Sequence, residues 1–163
     1  MLHRQTRAKE SLEVHTRAAA IAPPSADDLK IVGLNYVLLD DFGDAIRWLN
    51  KAVELDPKNR DAWYCLGRSY YTKAMIAEAR KAFLRVLELN PEDAKAENNL
   101  GLIFETRGQP AAAIEAYQKA IAWQEKSGSL SEQPYVNLGN LLSEQGQTKE
   151  AIESAGESGQ TRT

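Results

Sequence analysis

The chain has 163 residues, 43% of them hydrophobic and 26% charged, which is the balance of a soluble folded protein rather than a disordered or membrane-embedded one. A formal net charge of -3 and a pI near 5.5 supply no long-range pull toward nucleic acid or an anionic membrane, so neither is expected as a partner. The single cysteine, Cys65, excludes an internal disulfide, and no apolar run approaches the ~18 residues that cross a bilayer.

Arg7 to Ile21 are predicted to form one helix, with Leu12, Val14 and Ala18 to Ile21 available for burial. Pro23-Pro24 stop it, because proline cannot donate to the helix ladder. Charges from Arg4 to Arg17 interrupt any signal-peptide core. From here the chain repeats every 34 residues. Gly33, Gly67 and Gly101 align, as do Tyr36, Tyr70 and Phe104, then Ala45, Ala79 and Ala113, and Pro23, Pro57 and Pro91. Extended backwards, the register makes residues 1–25 a partial repeat or an N-terminal helix. Residues 26–59 form a first full repeat, with predicted helices over Asp27–Leu39 and Phe42–Leu55. Residues 60–93 form a second, with helices over Asp61–Lys73 and Ile76–Leu89, and residues 94–127 a third. Glu125 stands where the third full repeat would carry its proline, and Leu138-Gly139 arrives 38 residues after Leu100-Gly101. Residues 128–131 are therefore an inserted polar loop, either a tolerated insertion or a contact closing one edge of a groove. Residues 132–155 begin a fourth, partial repeat. Residues 156–163 read as a polar tail, too rich in glycine and serine to continue a packed helix.

A mid-helix glycine costs about 1 kcal/mol against alanine, so its recurrence at Gly33, Gly67, Gly101 and Gly139 marks a place where a partner helix packs too close for a β-carbon. Ala45, Ala79, Ala113 and Ala151 are the expected other side of that contact.

The second repeat carries Trp63, Leu66-Gly67, Tyr70, Ala79, Phe83 and Pro91 at the fourth, seventh, eighth, eleventh, twentieth, twenty-fourth and thirty-second places. This pattern resembles the tetratricopeptide repeat family, with only Val86 where a small alanine is usual. The resemblance implies an all-α fold, an α-solenoid of antiparallel helix pairs wound into a right-handed superhelix whose repeats form one domain. It also implies that the first helix of each pair lines a concave groove, at the second, fifth, sixth, ninth, twelfth and thirteenth places. The candidate ligand-binding residues are then Lys30 and Leu34 from the first repeat, Tyr64, Arg68 and Tyr71 from the second, Lys95, Asn98 and Asn99 from the third, and Asn137 and Asn140 from the fourth. Leu34, Val37, Leu38, Tyr64 and Tyr71 are large groups expected to stay exposed in the absence of a ligand.

Asn99 and Asn137 share the sixth place, each directly before Leu-Gly, and an asparagine offers both a donor and an acceptor. This wording is similar to the asparagine ladder of O-GlcNAc transferases, whose repeat domain holds protein substrates through it, although Ile31 and Cys65 leave only two rungs here. The family's carboxylate clamp for acidic chaperone tails is incomplete. Over the first three repeats Lys30 and Lys95 fit while Leu34, Cys65 and Asn99 do not, and over the last three only Asn99 fits.

No catalytic constellation is present. His3 and His15 are not at metal-ligand spacing, Cys65 has no histidine near it in sequence, and no phosphate loop or nucleophile elbow occurs. Trp48, Trp63 and Trp123 are expected to pack between helices. The sequence thus predicts a non-enzymatic scaffold with no cofactor and no metal, binding a protein or peptide ligand in its groove. Two alternatives stand beside it: an assembly segment that forms a homo-oligomer through open terminal repeats, and the substrate-recruiting arm of a larger enzyme such as a glycosyltransferase. No residue names a compartment, the cytoplasm being the default placement.

Overall fold

The computed structural model describes residues 2–129 and 131–160, and every element among them is an α-helix. In chain order these are α1 (Leu2–Ala19), α2 (Ala26–Leu38), α3 (Phe42–Leu55), α4 (Arg60–Thr72), α5 (Ile76–Leu89), α6 (Ala94–Thr106), α7 (Pro110–Ser127) and α8 (Gln133–Gln160). The helices of each predicted pair pack on one another, α2 on α3, α4 on α5 and α6 on α7, and each pair stacks on the next. The result is an α-solenoid.

Each start and each turn has a local cause. Ser25, Asn59 and Asp93 cap α2, α4 and α6, accepting from Asp28 N, Ala62 N and Ala96 N at 3.1, 3.1 and 3.0 Å. A capping oxygen of this kind satisfies one of the unpaired donors of the first turn. These caps recur with the same 34-residue period, though the sequence reading passed over them. Within each pair the chain reverses through one residue of positive φ: Asp40 (60°), Ala74 (58°) and Gly108 (66°). Pro110 follows the last of these at the start of α7, where its missing N–H breaks nothing. With Glu125 in place of a proline, α7 runs 18 residues against 14 in α3 and α5, and stops at Gly128 in a left-handed cap.

The recurring glycines do mark close approach, but the group they face is larger than expected. A β-carbon on Gly67 would lie 2.9 Å from two ring atoms of Phe83, one on Gly33 would lie 2.6 Å from Cγ of Leu49, and Gly101 meets the ring of Tyr117. Alanine is the lesser neighbour, represented by the Ala45 carbonyl 3.3 Å from the Gly33 position. Side chains on a helix lean toward its N-terminus, so a long group one turn beyond the alanine reaches back over it. Leu49, Phe83 and Tyr117 are fully buried in consequence, each side chain contributing roughly 2–3 kcal/mol of apolar burial.

Both ends differ from expectation. Among the described side chains of α1 the buried one is Ala8, whereas Val14 and, past the helix end, Ile21 are 62% and 88% exposed and Ala18 to Ala20 are exposed too. The reason is that α1 packs on α2 alone among the described elements. At the other end the backbone is helical without interruption through Gln160, past Ala155 where composition predicted an end. Gly139 faces open space, with nothing within 4 Å of a β-carbon. The side chain of Ala151, its expected partner, lies outside the described residues.

Candidate functional site

The curvature of the array follows from which helices touch. First helices contact first helices, α2 to α4, α4 to α6 and α6 to α8, whereas no second helix contacts the next second helix among the described residues. The first helices therefore form the inner, concave layer, the side to which Lys30, Leu34, Tyr64, Arg68, Tyr71, Lys95, Asn98, Asn99, Asn137 and Asn140 were allotted.

The structure divides that set. A cleft of about 520 Å³ brings Tyr64, Lys95, Asn98 and Asn99 together with Arg60, Asp61 and Gln133. Lys30, Leu34, Arg68, Tyr71, Asn137 and Asn140 lie outside its lining. Lys30 pairs with Asp27 at 2.7 Å, and Leu34 is half-buried. Arg68 and Asn140 are exposed. Of the apolar groups expected to stand free, Leu38 is exposed at 46%, while Val37 packs against the core of the first repeats. Tyr64 and Tyr71 are half-buried and act as struts between α4 and α6. Tyr64 sits edge-on to Phe83, with ring centroids 5.8 Å apart, and its hydroxyl accepts from Asn99 Nδ2 at 3.3 Å. The Tyr71 hydroxyl lies 3.1 Å from Thr106 Oγ1. Burial raises the Tyr64 hydroxyl above the ordinary tyrosine pKa, so it stays a neutral hydroxyl around neutral pH.

An amide network floors the cleft. Gln133 Nε2 donates to Asn137 Oδ1 at 2.9 Å, and Asn137 Nδ2 donates to Asn98 Oδ1 at 3.0 Å. Asn99 Nδ2 donates to Lys95 O at 2.7 Å as well as to Tyr64. The donors of Asn99 and Asn137 are thus engaged within the chain. What remains unpaired in this network among the described residues is the Asn98 donor, Nδ2, and the acceptors Asn99 Oδ1 and Gln133 Oε1. Asn98 is 8% exposed and Asn99 half-buried, both at the cleft wall.

The inserted loop forms one edge. Gln124, 2% exposed, holds it with both ends of its amide: Nε2 donates to Ser131 O at 2.9 Å, and Oε1 accepts from Ser131 N at 3.3 Å. Ser127, Ser129 and Ser131 line the cleft beside it. Leu130 lies outside the described residues. Lys126 Nζ bridges to Glu92 Oε1 at 2.5 Å, and Arg60 lies 3.9 Å from Asp93. Lys95 has no ion pair among the described residues, which leaves a cation at the cleft mouth. The sequence reading missed Gln124 as the loop anchor; a lone glutamine near the end of an amphipathic helix carries no signal of its contacts.

Burial pushes the Cys65 thiol up, favouring the neutral, unreactive form. No group of three His, Cys, Asp or Glu among the described residues could hold a metal, and none of the described helices is long and apolar enough to cross a membrane. Trp48 has Lys51 Nζ 4.6 Å from its ring centroid and Trp123 has Lys126 Nζ at 5.5 Å, so both are covered by their own helix.

Comparison with known proteins agrees with the geometry. Family models described as tetratricopeptide repeat match residues 66–129 and 132–157, and a model described as TPR repeat matches 33–73. Against the curated proteins the sequence finds no match. Among solved structures, one of MamA superposes with a TM-score of 0.74 at 25% identity, over 94% of this chain and 88% of that one. A second structure of MamA gives 0.66 at 24%, over 85% and 89%, and supports the fold alone. YrrB, described as a TPR protein with an unusual peptide-binding site, gives 0.69 at 27% identity, over 74% of this chain and 62% of that one.

Proposed function

We propose, from the premise that this chain carries tetratricopeptide repeats, that it is a protein-interaction scaffold that captures an extended peptide in the cleft between its second and fourth repeats. The observation that carries this reading is the pair of free amide groups in that cleft. Asn98 Nδ2 and Asn99 Oδ1 come from adjacent residues, one a donor and the other an acceptor, and together they complement the C=O and N–H of one residue of an extended peptide whatever its side chain. Lys95 adds preference for an acidic residue nearby, and Tyr64 supplies an apolar wall with its hydroxyl oxygen already accepting from Asn99. The peptide-binding site in the description of YrrB makes the same use of a similar fold a reasonable precedent.

The test is selection from a random-peptide display library against the whole chain, with affinities of enriched peptides then measured by fluorescence polarisation. Asn99→Ala removes the free acceptor and should weaken binding by roughly fivefold, about the worth of one hydrogen bond. Lys95→Ala should weaken acidic peptides more than neutral ones. Peptides that bind both variants as tightly as the original chain would place capture elsewhere.

A further inference from the structure

The fourth repeat shows half of a contact that the other three complete. In the inner repeats the face bearing Leu-Gly is covered by the second helix of the same pair: Leu66 is fully buried and Gly67 sits against Phe83. On α8 the corresponding Leu138 is half-buried, Gly139 meets nothing within 4 Å, and Tyr135 and Leu142 are 43% and 50% exposed. The segment that would cover this face is present in the sequence. Ala151 and Ile152 follow Gly139 at the spacing by which Ala113 and Ile114 follow Gly101, and Ala155 stands at the place of Tyr117.

That segment is carried away by the backbone. Gly146 occupies the place of Asp40, Ala74 and Gly108, the three residues whose positive φ reverses the chain, yet Gly146 is not among the residues of positive φ and α8 passes straight through it. At 1.5 Å per residue, residue 152 lies roughly 20 Å along the axis from residue 139. A cleft of about 630 Å³ stays open beside this point, between Gly108 and Pro110 of the preceding turn and Leu141, Gln145 and Thr148 of α8.

We infer that the exposed face of α8 at Tyr135, Gly139 and Leu142 is the docking surface for residues 147–160 of a second copy of this chain, in a reciprocal exchange about Gly146. Every copy with a straight α8 has the same vacancy and the same displaced segment. One two-fold operation therefore fills both, and the contact closes without leading to a fibre. The alternative occupant, the copy's own segment, needs a reversal at Gly146 that α8 does not make.

Light scattering on a sizing column should give twice the chain mass of 18.1 kDa at high concentration, falling toward the chain mass on dilution. Thr148→Pro reproduces the Gly-Gln-Pro order of Gly108-Gln109-Pro110, breaks the straight helix, and should weaken association at least tenfold. Leu142→Glu charges an already exposed position without disturbing the monomer, and should do the same. The decisive arm is oxidation of the triple variant Cys65→Ser, Gly139→Cys, Ala155→Cys, read on a non-reducing gel. A covalent dimer is the expected product. Closure of the bond within one chain would overturn the exchange in favour of a fold-back at Gly146. A dimer that forms no such bond, or ignores both Thr148→Pro and Leu142→Glu, would overturn it in favour of another face. A strictly monomeric chain would overturn it outright. None of these readouts depends on peptide capture.

Discussion

The second repeat and the fourth share the signature Leu-Gly on their first helix and differ in what becomes of it. In α4 Leu66 is fully buried and Gly67 is sealed beneath Phe83, whereas in α8 Leu138 is only half-buried and Gly139 looks onto open space. The same dipeptide is interior in one place and surface in the other, so the signature encodes half of an interface. Burial belongs to the pairing of two helices and vanishes where the second helix is not in position.

The largest way to break this contrast is to remove the covering group. Phe83→Ala should destabilise the chain by about 3–5 kcal/mol, because the ring is fully buried and its loss leaves a cavity against Gly67. Chemical denaturation followed by circular dichroism checks this, and a loss below about 1 kcal/mol would mean that the α4–α5 contact relaxes freely. A smaller and sharper comparison sets Gly67→Ala against Gly139→Ala. At Gly67 the new β-carbon meets ring atoms at 2.9 Å and the change should destabilise. At Gly139 of the single chain it meets nothing, so at concentrations that keep the chain monomeric the helix-propensity gain of up to about 1 kcal/mol should appear as a rise in melting temperature. Equal signs for the two would sink the distinction between a paired and an unpaired face.

The smallest effect is electrostatic. Tyr64 in the second repeat and Tyr135 in the fourth both titrate above the ordinary tyrosine value of about 10, for different first causes. Burial raises Tyr64, while a 2.7 Å hydrogen bond to Glu125 raises Tyr135. A phenol whose folded pKa is raised contributes stability that is whole below about pH 10 and is lost as pH climbs through the folded value. Glu125→Gln should therefore bring the Tyr135 step of an ultraviolet phenolate titration back toward 10 and leave the Tyr64 step in place. Both steps moving together would mean that the two sites are coupled.

The helix pairs were legible because glycine, proline and the apolar spacing all repeat, and each constrains the backbone directly. The group facing each glycine was not. Periodicity names the faces that meet, but the lean of long side chains toward the helix N-terminus decides that Leu49, Phe83 and Tyr117 cover the spot assigned to Ala45, Ala79 and Ala113. The straightness of α8 was equally hidden: Gly146-Gln147 repeats Gly108-Gln109, but Thr148 stands where Pro110 starts α7, and the glycine by itself does not say whether the chain turns or continues as helix. At the cleft, the resemblance to a known repeat placed Asn98, Asn99 and Asn137 on the inner layer. It could not say that Asn137 would spend its donor on Asn98, or that Tyr64 and Tyr71 would tie α4 to α6 instead of standing free.

Those ties all fall on one side of the array. Tyr64 to Asn99, Tyr71 to Thr106 and Asn137 to Asn98 each join neighbouring first helices, while no hydrogen bond or ion pair among the described residues joins α3 to α5 or α5 to α7. Mechanically the molecule is a fan pinned along its inner rib. The spacing of the cleft wall is thus set by side-chain links between first helices, and among the described residues the outer helices are joined only through them and through the helix of the neighbouring pair.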